Sequence, residues 1–424
     1  MQVGKRILSL AAILGAYSVG QAGSIDNRNN SSAQYIRSLS RNAASEGGDV
    51  AIYNPAGTAR LPDGLLLDVS NQTVQKWNEH RLEQAKAAFL SDIVSPFYPS
   101  AFAVYKRGPW AGFAAFHFPA GGGDLFYEDG SATVYPIQTN LSAFNPARNA
   151  EVSLRSLYYA LTLGGAYAVD DRLSVSLAAR PLYARTDIKV KASGALPDGA
   201  SSRLVDHMEE ARGVAGILGA DFSPMPGLIL ALRLESQTPL EWEVARSTLN
   251  LKPVLKDSAL RTGYEANLRS QVRAQGQTFN RDLPANLGLG AAYQVLPALR
   301  TDLSFNYYFN TLAGWDGFED RVDDGWEVSL SGEYAWTIPL VTSLGAQYTA
   351  TGAGPDTYQV ENPALNSYSL AAGGRYGFGH GVAVNFGVTG NFALEDDGQA
   401  PSLGTAELRK QVWVYALGVQ YQVF

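Results

Sequence analysis

From about residue 65 to the C-terminus, apolar and polar residues alternate with period two, the mark of strands whose two faces meet different surroundings. In Trp326–Trp336, residues Trp326, Val328, Leu330, Tyr334 and Trp336 share one face, against Glu327, Ser329, Ser331 and Glu333. Leu303, Phe305, Tyr307 and Phe309 oppose Asp302, Ser304, Asn306 and Asn310. Near the end, Trp413, Tyr415, Leu417, Val419 and Tyr421 oppose Gly418, Gln420 and Gln422. The polar face carries mainly Ser, Ala, Gly, Asn and Gln, and aromatics sit at the ends of the apolar face. That is a lipid-facing band with aromatic girdles around a polar interior.

The pattern predicts strands at 65–77, 100–107, 110–118, 151–168, 172–191, 207–223, 228–245, 276–296, 299–312, 326–338, 340–351, 366–379, 381–394 and 407–423. Their connections sort by parity. Tight turns fall near residues 108, 170, 225, 297, 339 and 380; long loops fall at 78–99, 119–150, 192–206, 246–275, 313–325, 352–365 and 395–406. Short periplasmic turns alternating with long outer loops define an outer-membrane barrel, here all-β and antiparallel with about fourteen strands. Within the first long loop, Leu82, Ala85 and Phe89 have helical spacing, so Trp77–Asp92 is expected to include a short amphipathic helix. The second, rich in glycine and apolar residues, is suited to covering the mouth.

Composition narrows this further. The 424 residues are 46% hydrophobic but only 17% charged, with 22 Tyr and 7 Trp. A mean hydropathy of -0.10 is too low for a bundle of membrane helices. The net charge of -7, without a Lys/Arg cluster, leaves no footprint for nucleic acid. There is no cysteine, which excludes disulfides, thiolate chemistry and a cysteine-linked lipid anchor. Residues 1–22 read as a cleaved export signal: Lys5 and Arg6, an apolar core Ile7–Val19, then small Gly20 and Ala22. The mature protein is therefore expected in a Gram-negative outer membrane as a monomer, in contact with outer-membrane lipid and lipopolysaccharide.

A barrel this wide leaves a lumen to fill. Residues 23–63, ahead of a barrel at 64–424, are the natural plug. They end in "DVAIYNPAGTARLPDG", where Pro55 fixes its own φ, Asn54 can bond neighbouring backbone, and Gly57 permits a sharp reversal. This stretch resembles the hatch signature of the FadL/TodX family of outer-membrane transporters for long-chain fatty acids and aromatic hydrocarbons. That family's Asn-Pro-Ala maps onto Asn54, Pro55 and Ala56, with Gly57 following. "YAVDDRLSVSLAARPLY", "GADFSPMPGLILALRLES" and "LPANLGLGAAY" resemble later strands of the family. The third outer loop, prominent in fatty-acid members, is short and polar here.

The resemblance implies a hatched passive channel for hydrophobic or amphipathic small molecules, with long-chain fatty acids the first expectation. It also implies a sideways exit through a kink in the third strand, for which Gly112, Phe113, Ala114, Ala115 and Phe118 are candidates. Parity places Arg180, Arg233 and Arg375 on the inward face with Glu235, Asp302, Glu327 and Glu333, so each arginine is a candidate to hold a ligand carboxylate. Enzyme chemistry is not expected, and no cofactor or metal is implied: G-x-S-x-G, Walker A and H-E-x-x-H motifs are missing. The alternatives are a general diffusion porin for hydrophilic solutes and a lipid hydrolase built around His207 with Asp206, Glu209 and Glu210.

Overall fold

The structure, a computed structural model, describes residues 30–135, 148–194, 202–251, 262, 265, 273–400 and 403–423. The proposed export signal and the terminal Phe424 lie outside these, as do residues 136–147 and 195–201 of the outer loops.

The alternating segments form a closed antiparallel barrel of 14 strands. In chain order these are β1 (Gly64–Leu82), β2 (Ala87–Arg107), β3 (Trp110–His117 and Gly123–Tyr127), β4 (Arg148–Ala168), β5 (Leu173–Gly194), β6 (Ser202–Phe222) and β7 (Leu228–Glu235 and Glu241–Leu249). Then follow β8 (Thr278–Asn280 and Asn286–Leu296), β9 (Leu299–Tyr308), β10 (Gly325–Thr337), β11 (Leu340–Ala350), β12 (Ser367–Gly379), β13 (Val382–Ala393 and Asp396–Ala400) and β14 (Gly404–Val423). β1 closes on β14 from Leu65↔Val423 to Leu82↔Ala406, so the sheet rolls into a ring. In lipid only such closure, or a helix, gives every backbone N–H a partner.

All six tight turns stand where the alternation stops, at the end of the barrel where both β1 begins and β14 ends. The outward face bears Leu177, Leu218, Leu330, Leu344 and Leu417, each at least half exposed. Aromatic pairs bound this band. Trp110–Tyr167, Tyr334–Trp336 and Tyr376–Phe378 lie toward the turn end, and Tyr159–Tyr183, Trp326–Tyr348 and Tyr368–Phe392 toward the loop end. Trp326 and Tyr334 are about 27 Å apart along their strand, which matches an apolar band about 25 Å tall once strand tilt is allowed for.

Two expectations fail here. Residues 77–92 are not helical: β1 and β2 run on as an extended hairpin joined at residues 83–86, where Lys86 takes φ 52. Leu82 and Phe89 both point inward, one from each arm, and their helical spacing is a coincidence of the turn. The interior is also not polar throughout. On the tall side of the barrel the alternation changes sense above the loop-end girdle. There Ile188, Val190 and Val152 are buried inside while Lys189 and Lys191 face out. Outside the hydrocarbon the interior becomes the dry side, so apolar residues turn inward.

Candidate functional site

The lumen is crossed by residues 30–63. Helix α1 (Ala33–Ser38) is capped by the Ser32 hydroxyl, which accepts from Tyr35 N at 3.0 Å, and stops at Leu39 with φ 63. It lies against β11 to β14, whereas the 3-10 turn Pro55–Arg60 lies against β3 to β6 on the other wall. The segment thus spans the bore. Wall glycines let its backbone come close. A Cβ on Gly290 would stand 2.5 Å from Asn42 C, one on Gly387 would stand 2.7 Å from Arg37 N, and one on Gly345 would overlap Ser38 O.

Side chains fix the segment at both ends. Asn42 Nδ2 donates to Leu289 O at 3.0 Å and Phe305 O at 3.1 Å, and Arg37 pairs with Glu333 at 2.5 Å. Arg41 pairs with Asp49 at 2.7 Å, while Glu46 bridges Arg41 and Arg300. Burial pushes the Glu46 carboxyl up, but those two arginines outweigh it and hold the group well below the usual carboxylate range.

Asn54, Pro55, Ala56 and Gly57 all sit inside this plug, fully buried. Asn54 Nδ2 donates to Ala44 O at 3.0 Å and to the wall carboxylate of Asp221 at 2.9 Å, tying the knot to itself and to β6. Pro55 opens the 3-10 turn, where its missing N–H costs nothing. Gly57 makes no sharp reversal, because it lies within that turn and its N–H donates to Asn54 O at 2.8 Å. It is glycine for room: a Cβ would sit 2.7 Å from Asn54 Nδ2 and 2.8 Å from Ala44 O.

The third strand is interrupted, though not where small residues suggested. Gly112, Phe113, Ala114 and Ala115 lie in a regular ladder, paired with β2 and β4 on either side. The break comes at residues 118–122, Phe-Pro-Ala-Gly-Gly. There Pro119 cannot donate to a ladder and Gly121 takes φ 109. Beyond it, Gly123–Tyr127 pairs with β4 alone, and among the described residues no backbone ladder joins it to the upper half of β2. Side chains close this slot: Ser95 Oγ donates to Asp124 Oδ2 at 3.1 Å, and Ser91 Oγ accepts from Phe126 N at 3.0 Å.

Phe118 stands in the gap. Its ring lies 5.8 Å from lumenal Tyr98, 5.6 Å from Phe116 and 5.2 Å from Tyr159 on the outer face. Small cavities of about 30 and 20 Å³ flank the break. Phe118 and Lys76 line the first; His117, Pro119, Arg180 and Glu235 line the second.

Above the plug, apolar clusters line the lumen beside the buried Arg180–Glu235 and Arg281–Glu209 pairs. Tyr158, Leu182, Leu240, Trp242 and Phe279 form one cluster, reaching Ala120 in the strand break. Higher still, Leu82, Phe89, Tyr127, Ile188, Val190 and Leu408 form another at the mouth. Two loop segments fold down into it. Residues 131–134 are buried, and Glu361 of the loop before β12 accepts from Tyr127 Oη at 2.6 Å through its carbonyl and from Thr133 through its carboxylate. Trp242 and Phe279 escaped the sequence reading because the outward-apolar phase reverses across the β7 break at residues 236–240. The glutamates flanking Trp242 were the available signal.

The candidate arginines do face inward, but two are already engaged. Arg180 makes a two-pronged pair with Glu235, both almost fully buried. Arg233 donates to Ile52 O of the plug at 2.5 Å and to Asn286 Oδ1 at 3.1 Å. Arg375 stands partly exposed near the turn end, remote from the apolar clusters. His207 lies between Glu209 at 3.0 Å and Ser247 at 3.3 Å, and Glu209 also accepts from Arg281, whose guanidinium stacks 3.9 Å over Trp242. The carboxylate thus serves an arginine as well as the histidine; Asp206 and Glu210 take no part.

No protein-family model matches the sequence, and no curated protein matches it. Solved structures do match. A FadL homologue of Pseudomonas aeruginosa aligns over 92% of this chain and 98% of its own, with 14% identity and a TM-score of 0.66. The Pseudomonas putida toluene transporter TodX aligns over 92% and 97%, with 14% identity and a TM-score of 0.61. The Ralstonia pickettii toluene transporter TbuX aligns over 89% and 94%, with 14% identity and a TM-score of 0.58. At these identities the likeness is one of architecture, and in architecture this chain is a FadL/TodX-type barrel.

Proposed function

We propose that the protein is a passive outer-membrane channel for hydrophobic small molecules that releases them sideways through the slot between β2 and β3. The observation that carries this reading is the join between an apolar lumenal cluster and an unladdered wall: the cluster around Trp242 ends at Ala120, and Phe118 spans from lumen to outer face. The plug stops an axial path, so a ligand reaching the break meets a gap closed by side chains only. Swinging Phe118 outward opens a route into the hydrocarbon without breaking a β-ladder. The likeness to a toluene transporter and a monoaromatic hydrocarbon channel supports a hydrophobic cargo.

As for ligand class, the charge pattern favours uncharged compounds over the long-chain fatty acids first expected. Arg180 and Arg281 are each matched by a buried carboxylate. A ligand carboxylate at either arginine would have to displace Glu235 or Glu209, leaving a buried charge without a partner.

The chain has no cysteine, so a pair can be introduced cleanly. Ser95→Cys with Asp124→Cys replaces the 3.1 Å contact across the slot by a disulfide. Uptake of a labelled alkylbenzene by cells carrying the oxidised variant should fall at least tenfold and return on reduction. Full uptake through the locked slot would remove the lateral route.

A further inference from the structure

The tall side of the barrel carries charge on its outer face, just beyond the loop-end girdle. On β5 the outward residues after Tyr183 are Arg185, Asp187, Lys189 and Lys191. The ladder sets Lys189 opposite Asp206 of β6 and Lys191 opposite Arg203. Asp187 stands opposite Met208, which in turn faces Arg246 of β7. On the β4 side, Arg155 stands beside Asp187. With strands about 4.8 Å apart, these groups form one patch rather than separate sites.

Within it, the acids lie underneath and the cations on top. Asp187 and Asp206 are only 8% and 5% exposed. Asp187 accepts from Arg185 at 2.6 Å. Asp206 accepts from Arg203 at 2.6 Å and from Arg246 at 2.8 Å. The Arg203 guanidinium remains open at 53%, and Arg155, held instead by Asp124 at 3.3 Å, is open at 59%. Among the described residues, Lys189 and Lys191 have no ion-pair partner in this network. Glu151 stands opposite Lys191, and Glu210 and Glu243 lie one row nearer the girdle. The upper rows therefore present excess positive charge, with arginine forks already oriented by carboxylates beneath.

Height identifies the occupant. Asp187 is four residues past girdle Tyr183, about 13 Å along the strand. An aromatic girdle marks the edge of the hydrocarbon, so this patch stands at the depth of the outer-leaflet headgroups. Forked guanidinium groups bind phosphate through paired charge-assisted hydrogen bonds, and lysines add charge. We infer that this face of β4 to β7 is a binding site for the phosphate groups of an outer-leaflet glycolipid, fastening one such lipid beside the tall wall. The inference rests on outer-membrane placement but not on what the channel carries.

The test uses the full-length purified protein in micelles, titrated with bisphosphorylated lipid A and with the same lipid dephosphorylated. Wild type should bind the phosphorylated form at least tenfold more tightly, with affinity falling as salt rises. Substituting Lys189→Gln, Lys191→Gln and Arg203→Gln together should abolish that preference, while heat-modifiable migration reports an intact barrel. Should the triple variant fail to fold, Lys189→Gln with Lys191→Gln removes only cations outside the ion pairs and should cost about threefold to tenfold. Equal affinity for the two lipids, unchanged binding by a folded variant, or full displacement by an equimolar amount of inorganic phosphate would each overturn the assignment.

Discussion

At the scale of single residues, the lumen is a place where charge is spent in pairs. Arg180 and Glu235 are both nearly buried and hydrogen-bonded twice to one another. Arg180→Ala leaves a carboxylate stranded and is expected to destabilise the barrel by on the order of 3–5 kcal/mol, whereas Arg180→Gln with Glu235→Gln should cost much less. Urea unfolding followed by tryptophan fluorescence separates the two. Glu46 allows a pH statement. Because its folded carboxyl lies below its ordinary range, its contribution to plug docking is complete above the unfolded value and is lost only as pH falls through the lowered one. The difference in protease protection of the plug between wild type and Glu46→Gln should therefore stay constant from about pH 5 to 8. A difference that grows or vanishes inside that window would contradict the Arg41–Glu46–Arg300 bridge.

Elements show what the sequence disclosed and what it hid. Period two located every strand and every tight turn, because hydrocarbon outside and polar groups inside enforce a strict alternation. Arg180 and Arg233 were placed on the correct face for that reason. Where the wall rises out of the membrane the contrast inverts, so alternation no longer marks the wall: the β1–β2 hairpin reads as a loop with a helix, and Trp242 carries the phase of an outward residue. The break does fall in the third strand and Phe118 stands in it, but the emphasis on Gly112–Ala115 sets it too early, for another reason. Small residues such as Gly112 and Ala114 are compatible with an intact ladder, whereas Pro119 is not, and only the proline marked the gap. Gly57 was found by its neighbours but explained wrongly, since crowding by Ala44 O is invisible in a linear chain. The wall glycines make a further test possible. Gly345→Ala with Gly387→Ala should push α1 off the wall, giving single-channel currents where wild type shows almost none, while the strands stay intact by circular dichroism. A silent double variant would mean the plug is held by its side-chain ties alone.

For the molecule as a whole, the outer face governs insertion and the inner face governs traffic. Leu330, 58% exposed near the middle of the apolar band, should tolerate polar lumenal changes nearby but not its own replacement. Leu330→Arg is expected to cost about 2–4 kcal/mol in refolding into vesicles. On the inner side, matched charges predict that an alkylbenzene will be taken up faster than a fatty-acid anion of similar size. The reverse order in competition uptake would return the fatty-acid reading to first place.

The plug below and the folded-in loops above leave the bore shut at both ends. Under the proposed function such a tube works as an airlock: the described residues offer ions and small hydrophilic poisons no open bore, while oily cargo dissolves its own way past two soft seals. A cell can then raise the number of these portals in step with its food supply, without thinning its armour against detergents or antibiotics.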